Sequence, residues 1–242
     1  MLPRLTLTIT RDPAAIRAAR VLRHAVFVRE MGAAPGPDGL EGDAFDGERD
    51  HLILRDPAHP ERGVVATLRF GPGGRYTERE FDLAPLVASG LPLAEVGRAC
   101  IHPAYRGGVA GLYLFRGMID LARSRRVRFL IGTASFPGAD PLPHLPALRR
   151  LRIEGLAPAP VRPVASGPAA VRIDGPAPRA AMRGVPALVK TYLRAGAWVG
   201  DGAFVDRGFN TVDVCILLDM DRVRPPHLKG PAAWIGEGEP AD

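Results

Sequence analysis

Lysine is nearly missing from this chain of 242 residues: Lys190 and Lys229 are the only two among 32 basic side chains, and arginine supplies the rest. Cysteine is as scarce. Cys100 and Cys215 lie far apart with no Cys/His ligand spacing, which excludes a zinc site or disulfide framework and points to a reducing compartment. Each reads as a small apolar strand residue. Aromatic residues make up 6% and none interleave with the arginines, so the stacking platforms of a nucleic-acid binder are absent and no nucleic acid is expected as a partner. The longest late apolar run, Val214–Leu218, is far too short to span a bilayer. The opening MLPRLTLTIT lacks the apolar core of a signal peptide. A cytoplasmic protein is expected, at most peripheral to the inner face of the cytoplasmic membrane. No internal repeat is visible.

What is present is ordinary in bulk and unusual in charge. Hydrophobic residues at 46% and charged residues at 24% suit a globular protein able to bury a substantial core. A net charge of +6 favours an anionic partner, and with nucleic acid set aside that leaves anionic lipid or an acidic protein. Arginine, alanine, proline and glycine are abundant together, as a GC-rich genome would also produce.

Leu5–Ile9 alternates as a strand, and Asp12-Pro13 starts a helix that fits through Glu30 with Ala15, Ala19, Leu22 and Val26 as its apolar stripe. An acidic, glycine-rich loop covers 32–50. Strands follow at His51–Arg55 and Val64–Phe70, and 76–86 reads as irregular or briefly helical. A strand, tight turn and helix span 93–126, with Leu112, Phe115, Ile119 and Ala122 as the helix stripe, and Phe129–Ser135 is another strand. Nine prolines between Pro141 and Pro178 exclude a long regular element there. A helix fits 186–195 and a last strand Thr211–Asp219. The expectation is an α/β fold around one mixed sheet: core 1–140, a proline- and arginine-rich insertion or lid 141–185, the rest of the core 186–222, and a flexible tail 223–242.

The richest stretch is LAEVGRACIHPAYRGGVAG, 93–111. A strand delivers Glu95 and Arg98 just ahead of a turn with Arg106, Gly107, Gly108 and Gly111. Free backbone N–H groups and a positive dipole end at the following helix suit a phosphate. This pairing of a base with a phosphate site is what transfer from a phosphopantetheine-bound acyl group requires.

The order of elements resembles the Gcn5-related N-acyltransferase fold. In that fold a bulged strand holds the pantetheine arm and the next turn holds its phosphate, which implies roles for Val96, Gly97, Arg106, Gly107, Gly108 and Gly111. Val109 stands where the family's turn has its middle glycine, which favours the single phosphodiester of a carrier-protein thioester over the pyrophosphate of coenzyme A. Arg23-x-x-x-Phe27, Glu41-x-Asp43-x-x-Asp46, Arg69 and Glu95-x-x-Arg98 resemble the signature of acyl-homoserine-lactone synthases. Here, however, 31–34 holds no tryptophan and the chain runs further. Tyr76–Leu83, Glu95–Cys100, Gly132–Gly138, Tyr192–Gly202 and Phe209–Cys215 are similar to a sister group, the ornithine-lipid N-acyltransferases. That resemblance implies transfer of a (3-hydroxy)acyl chain from acyl carrier protein to the α-amine of an amino acid, ornithine foremost. It also implies no bound cofactor beyond the donor's phosphopantetheine thioester and no metal. Autoinducer synthesis and a non-catalytic acyl-carrier or lipid-binding module are the alternatives.

Acyl transfer to an amine needs a base and a held thioester carbonyl. Glu95 is the candidate base, with Arg98 beside it as an ion-pair partner or catalytic companion. Arg98 and Arg69 suit either the acceptor's carboxylate or a clamp on Asp43 and Asp46. Arg23, Arg69, Asp43, Asp46 and Ser135 form the candidate substrate-binding set. One of the acidic residues meets an amine of the substrate in this reading, and Ser135 donates to the thioester oxygen or lines the acyl chain. The spacing of Glu41, Asp43 and Asp46 lacks the ligand density of a calcium loop. His102 is a turn histidine or an alternative base. Asp201, Asn210 and Asp213 are expected to support the last strand. Arg123, Arg125, Arg126 and Arg128, with Arg149, Arg150 and Arg152, form a basic face suited to acidic acyl carrier protein, and the 141–183 stretch to contact with anionic lipid.

Overall fold

The computed structural model describes residues 5–223. In chain order the elements are β1 (Thr6–Thr10), α1 (Pro13–Arg23), β2 (Asp50–Arg55), β3 (Val64–Pro72), β4 (Phe81–Asp82) and α2 (Ala84–Ala88). Next come β5 (Leu93–Ile101), α3 (Ala110–Ser124), β6 (Phe129–Pro137), α4 (Leu145–Gly155), β7 (Val164–Ala165) and β8 (Ala170–Val171). The chain closes with α5 (Ala187–Arg194), β9 (Trp198–Val199), β10 (Ala203–Asp206) and β11 (Thr211–Asp219). They fall into two compact units. The first holds the described chain up to Gly71 and Val96–Leu121, the second Pro72–Glu95 and 122–223.

In the first unit, β1, β2 and β3 form an antiparallel ladder in which Leu52 lies between Ile9 and Leu68. β2 is buried along nearly its whole length. The Asp12 carboxylate caps α1 by accepting from the Ala15 N–H at 2.7 Å, and Pro13 occupies the first turn, where its missing donor costs nothing. The buried face of α1 is Ile16, Ala19, Leu22 and Arg23, so Ile16 takes the place expected for Ala15. From His24 to Glu30 the expected α-helix widens into a π-helix. On α3 the buried side chains include Leu114, Phe115, Met118 and Ile119, whereas Leu112 is half-buried. A Cβ on Gly117 would collide with Leu7, so the glycine lets α3 press onto β1.

In the second unit, Leu93–Glu95 of β5 pairs parallel with Phe129–Ile131 of β6, and β6 pairs antiparallel with β11 along nine residues. The sheet is therefore mixed, as expected. β10 forms a hairpin with β11 and carries β8 on its other edge. One face packs Phe81, Leu83, Leu86, Phe129, Ile131, Cys215 and Leu217 together.

The proline-rich stretch contains an 11-residue helix, α4, where no long regular element was expected. Pro146 sits in its first turn, where proline is tolerated, and 147–155 is free of proline. Ala147, Leu148, Leu151 and Gly155 are buried, and β7 pairs with β4. The tail expected to be flexible lies outside the described residues, apart from Val223. Among the described residues no helix is long and apolar enough to cross a membrane.

Candidate active site

The first unit holds a buried lattice of three arginines and three carboxylates. Arg23, at 0% exposure, donates from both terminal nitrogens to Asp46, at 2.7 and 3.1 Å, and from Nε to Glu41. Arg69 reaches Asp43 at 2.5 and 3.1 Å and Asp46 at 2.7 Å. Arg98 donates to Glu41 at 2.9 Å and Asp43 at 2.8 Å. Burial alone would push the Asp46 carboxyl up, but hydrogen bonds and charge from Arg23, then Arg69, outweigh it and hold the group well below the usual range. Asp43 shifts the same way, against its own burial, through Arg69 and Arg98. The lattice ties the 41–46 loop to α1, β3 and β5, and all of the arginines and carboxylates named for that region by sequence are in it.

Arg98 has φ 52°, the left-handed region that non-glycine residues rarely adopt. Along β5 the two-residue alternation breaks: Ala94, Glu95 and Val96 are buried in succession. Both observations mark a bulge-like kink inside the strand. A Cβ built on Gly97 meets no atom within 4 Å. A single 3-10 turn, Pro103–Tyr105, follows the strand, capped by His102 Nδ1 accepting from the Ala104 N–H at 3.2 Å. His102 thus caps the turn in which the sequence places it. Gly107, at φ 73°, opens the glycine turn, and α3 starts at Ala110 rather than at Arg106. Arg106 forks onto Glu30 at 2.5 and 2.7 Å and donates to the Ile101 carbonyl at 3.1 Å.

In the second unit, Glu95 is 5% exposed. Its Oε1 accepts from the Thr77 N–H and hydroxyl, both at 2.6 Å, and its Oε2 from the Tyr76 N–H at 3.2 Å. Ser135 is half-buried on β6 directly opposite Asp213 of β11. Asn210, at φ 54°, accepts from the Gly138 N–H through its carbonyl and from the Ala139 N–H through its side chain. Asp201 pairs with Arg152 at 2.9 Å. Arg123, Arg125 and Arg126 are exposed, whereas Arg128 is tied to Asp219 and Asp221. Sequence reasoning did not single out Thr77, Glu80, Asp206 or Thr211. Thr77, Glu80 and Thr211 lie inside stretches quoted for their resemblance, and that is their only signal as site residues.

Residues 22–116 match the family described as Acetyltransferase (GNAT) domain. FeeM, an N-acyl amino acid synthase from uncultured soil microbes, shares the fold with a TM-score of 0.54 at 14% identity, over 90% of this chain and 92% of that one. Fold and matched domain define the Gcn5-related class, the α/β class expected from the order of elements. An L-ornithine N(alpha)-acyltransferase of Rhodobacter capsulatus is 42% identical over 239 residues, covering 90% of this chain and 91% of the relative. One from Agrobacterium fabrum is 34% identical over 252 residues, covering 96% and 85%. The chain belongs to the L-ornithine N(alpha)-acyltransferase family.

Proposed function

We propose that this acyltransferase moves a (3-hydroxy)acyl group from the phosphopantetheine thioester of acyl carrier protein to the α-amine of ornithine, giving a lyso-aminolipid. The acceptor is supported by the relatives, whose names specify L-ornithine. The donor is supported by the turn Arg106–Gly111, in which Gly107 takes a positive φ and Val109 replaces a glycine, a loop suited to one phosphodiester. Exposed Arg123, Arg125 and Arg126 complement an acidic carrier protein. Leu142 and Ile153, both well exposed, together with exposed Arg172, suit peripheral contact with the anionic inner face of the cytoplasmic membrane, where a lipid product accumulates.

The observation that carries the reading is Glu95, a buried carboxylate fixed by three hydrogen bonds, one residue before the kinked backbone Val96–Arg98. The acceptor's ammonium gives a proton to Glu95, directly or through a water, and the freed nitrogen attacks the thioester carbonyl carbon. An N–C bond forms, and backbone N–H groups of Val96–Arg98 meet the oxyanion. The C–S bond then breaks, the sulfur takes the second proton lost by the nitrogen and leaves as a thiol, and Glu95 gives its proton to solvent. No acyl-enzyme is required. Burial pushes the Cys100 thiol up to about 12 and raises that of Cys215, so neither is an activated nucleophile.

Mass spectrometry tests the proposal, using purified protein, 3-hydroxyacyl-acyl carrier protein, mixed amino acids and S-adenosylmethionine. The expected product is N-α-(3-hydroxyacyl)ornithine. An acyl-homoserine lactone, or a different acylated amino acid, overturns the acceptor assignment. Equal turnover with the acyl-coenzyme A thioester overturns the donor assignment.

A further inference from the structure

We propose that Glu80, Asp206 and Asp213 form a pocket for an alkylammonium group, and that its occupant is the side-chain amine of the acceptor. The inference rests on the reading above, in which the acceptor is a diamino acid. Asp43 and Asp46, which the sequence offered for an amine of the substrate, are engaged by Arg23, Arg69 and Arg98. In the second unit one carboxylate oxygen from each of Glu80, Asp206 and Asp213 lies within 4.8 Å of the others, and Asp206 also accepts from the Phe209 N–H at 3.0 Å.

Strand register shows why they meet. Asp206 stands directly opposite Thr211 on the β10–β11 hairpin, Phe204 opposite Asp213, and Asp213 opposite Ser135 of β6. Side chains directly opposite, or two apart on one strand, share a face. Asp206, Thr211, Asp213 and Ser135 therefore emerge on one side of the sheet. Thr211 is 0% exposed, and among the described residues its hydroxyl oxygen has no hydrogen-bond partner. A buried hydroxyl left without a partner is destabilising, and a bound donor would relieve it. Opposite Asp206 and two residues from Asp213, it adds a fourth polar atom on the same face, ready to accept from an N–H donor.

The same face leads to Glu95. Glu95 lies beside Ile131, which stands opposite Leu217 of β11. Cys215, between Leu217 and Asp213, has its thiol raised by burial and then by the charges of Glu80 and Glu95, so both carboxylates act on one stretch of β11. Thr77, which binds Glu95, is joined to Glu80 by a 3-10 turn in which the Glu80 N–H donates to the Thr77 carbonyl at 3.0 Å.

The geometry suits an ammonium better than a metal ion. Three oxygens at these separations can all sit about 2.8 Å from one nitrogen, and an alkylammonium has three donors to give them. A calcium-type ion takes about six to eight oxygens, and this cluster supplies three carboxylates and a hydroxyl.

The test compares ornithine with norvaline, the same skeleton without the side-chain amine, as acceptors for the wild type, Asp206→Asn and Asp213→Asn. Asp206 is half-buried, so its variant guards against a folding failure of the other. The wild type should favour ornithine by at least about a hundredfold in kcat/KM. Each variant should pull that ratio toward one, mainly through the KM for ornithine. A ratio unmoved in folded variants, or both acceptors falling together, overturns the pocket. So does calcium chloride binding to the wild type at micromolar concentration and lost in Asp206→Asn. A wild type inactive on ornithine overturns the acceptor assignment and the pocket with it. Activity on ornithine with an unmoved ratio overturns the pocket alone.

Discussion

Thr77 grips Glu95 twice, its backbone N–H and its hydroxyl each donating at 2.6 Å to the same carboxylate oxygen. Thr77→Val keeps the shape and deletes one of these donors. A hydrogen bond to a charged group contributes about 1.5–3 kcal/mol, and here its loss also frees the carboxylate to rotate. Turnover should fall about tenfold while the KM for acyl donor holds, and Thr77→Ser should recover most of the rate. Steady-state kinetics decide it; a Thr77→Ser as slow as Thr77→Val would remove the hydroxyl from the account.

Gly97 sits between buried Val96 and the left-handed Arg98, and a methyl added there meets nothing within 4 Å. Gly97→Ala should therefore keep its thermal midpoint within about 2 °C. If the pantetheine arm runs along this backbone, the methyl intrudes on it and the KM for acyl-acyl carrier protein rises several-fold. An unchanged midpoint with an unchanged KM would move the donor elsewhere.

How much of this was legible in sequence depends on the distance over which each feature is specified. Asp12-Pro13 announced α1 because cap and first turn are neighbours, and the bounds of β11 were read as Thr211–Asp219 because alternation and composition are local. α4 is hidden by the proline density of the segment as a whole, although Ala147–Gly155 contains none and Pro146 occupies a tolerated first-turn site. Arg23, Glu41, Asp43, Asp46, Arg69 and Arg98 were all named, yet which carboxylate each arginine would take is decided by tertiary placement. Glu80, Asp206 and Asp213 meet only because the β10–β11 hairpin and the turn after Thr77 converge. β10 itself, four residues long, left no pattern to read.

The arginine–carboxylate lattice predicts a large penalty for removing one member. Arg23 is wholly buried and binds both Glu41 and Asp46, so Arg23→Met leaves carboxylates buried with a missing partner. A broken buried pair costs about 3–5 kcal/mol. Urea denaturation should show a loss of that order for Arg23→Met and for Asp46→Asn. Arg23→Lys should not restore it, because one ammonium cannot reproduce the fork onto two carboxylates. A loss below about 1 kcal/mol would mean that the loop is held by other contacts.

Acidification should act on this lattice in two stages. His51 donates from Nε2 to the Asp46 carbonyl, 3.0 Å away, and burial holds its pKa below the ordinary 6.5. The unfolded chain therefore takes up that proton first, and stability starts to fall as the pH drops below about 6.5. Asp43 and Asp46 also have folded values below the ordinary 3.8, through their arginines. Their contribution is complete above that value and disappears as the pH falls through the lower, folded one. Urea midpoints measured from pH 8 to pH 3 should show a shallow decline beginning near 6.5 and a steeper one below about 4. His51→Gln should erase the shallow stage and leave the steep one, while Asp46→Asn should reduce the steep one. A shallow decline that persists in His51→Gln would assign it to a different group.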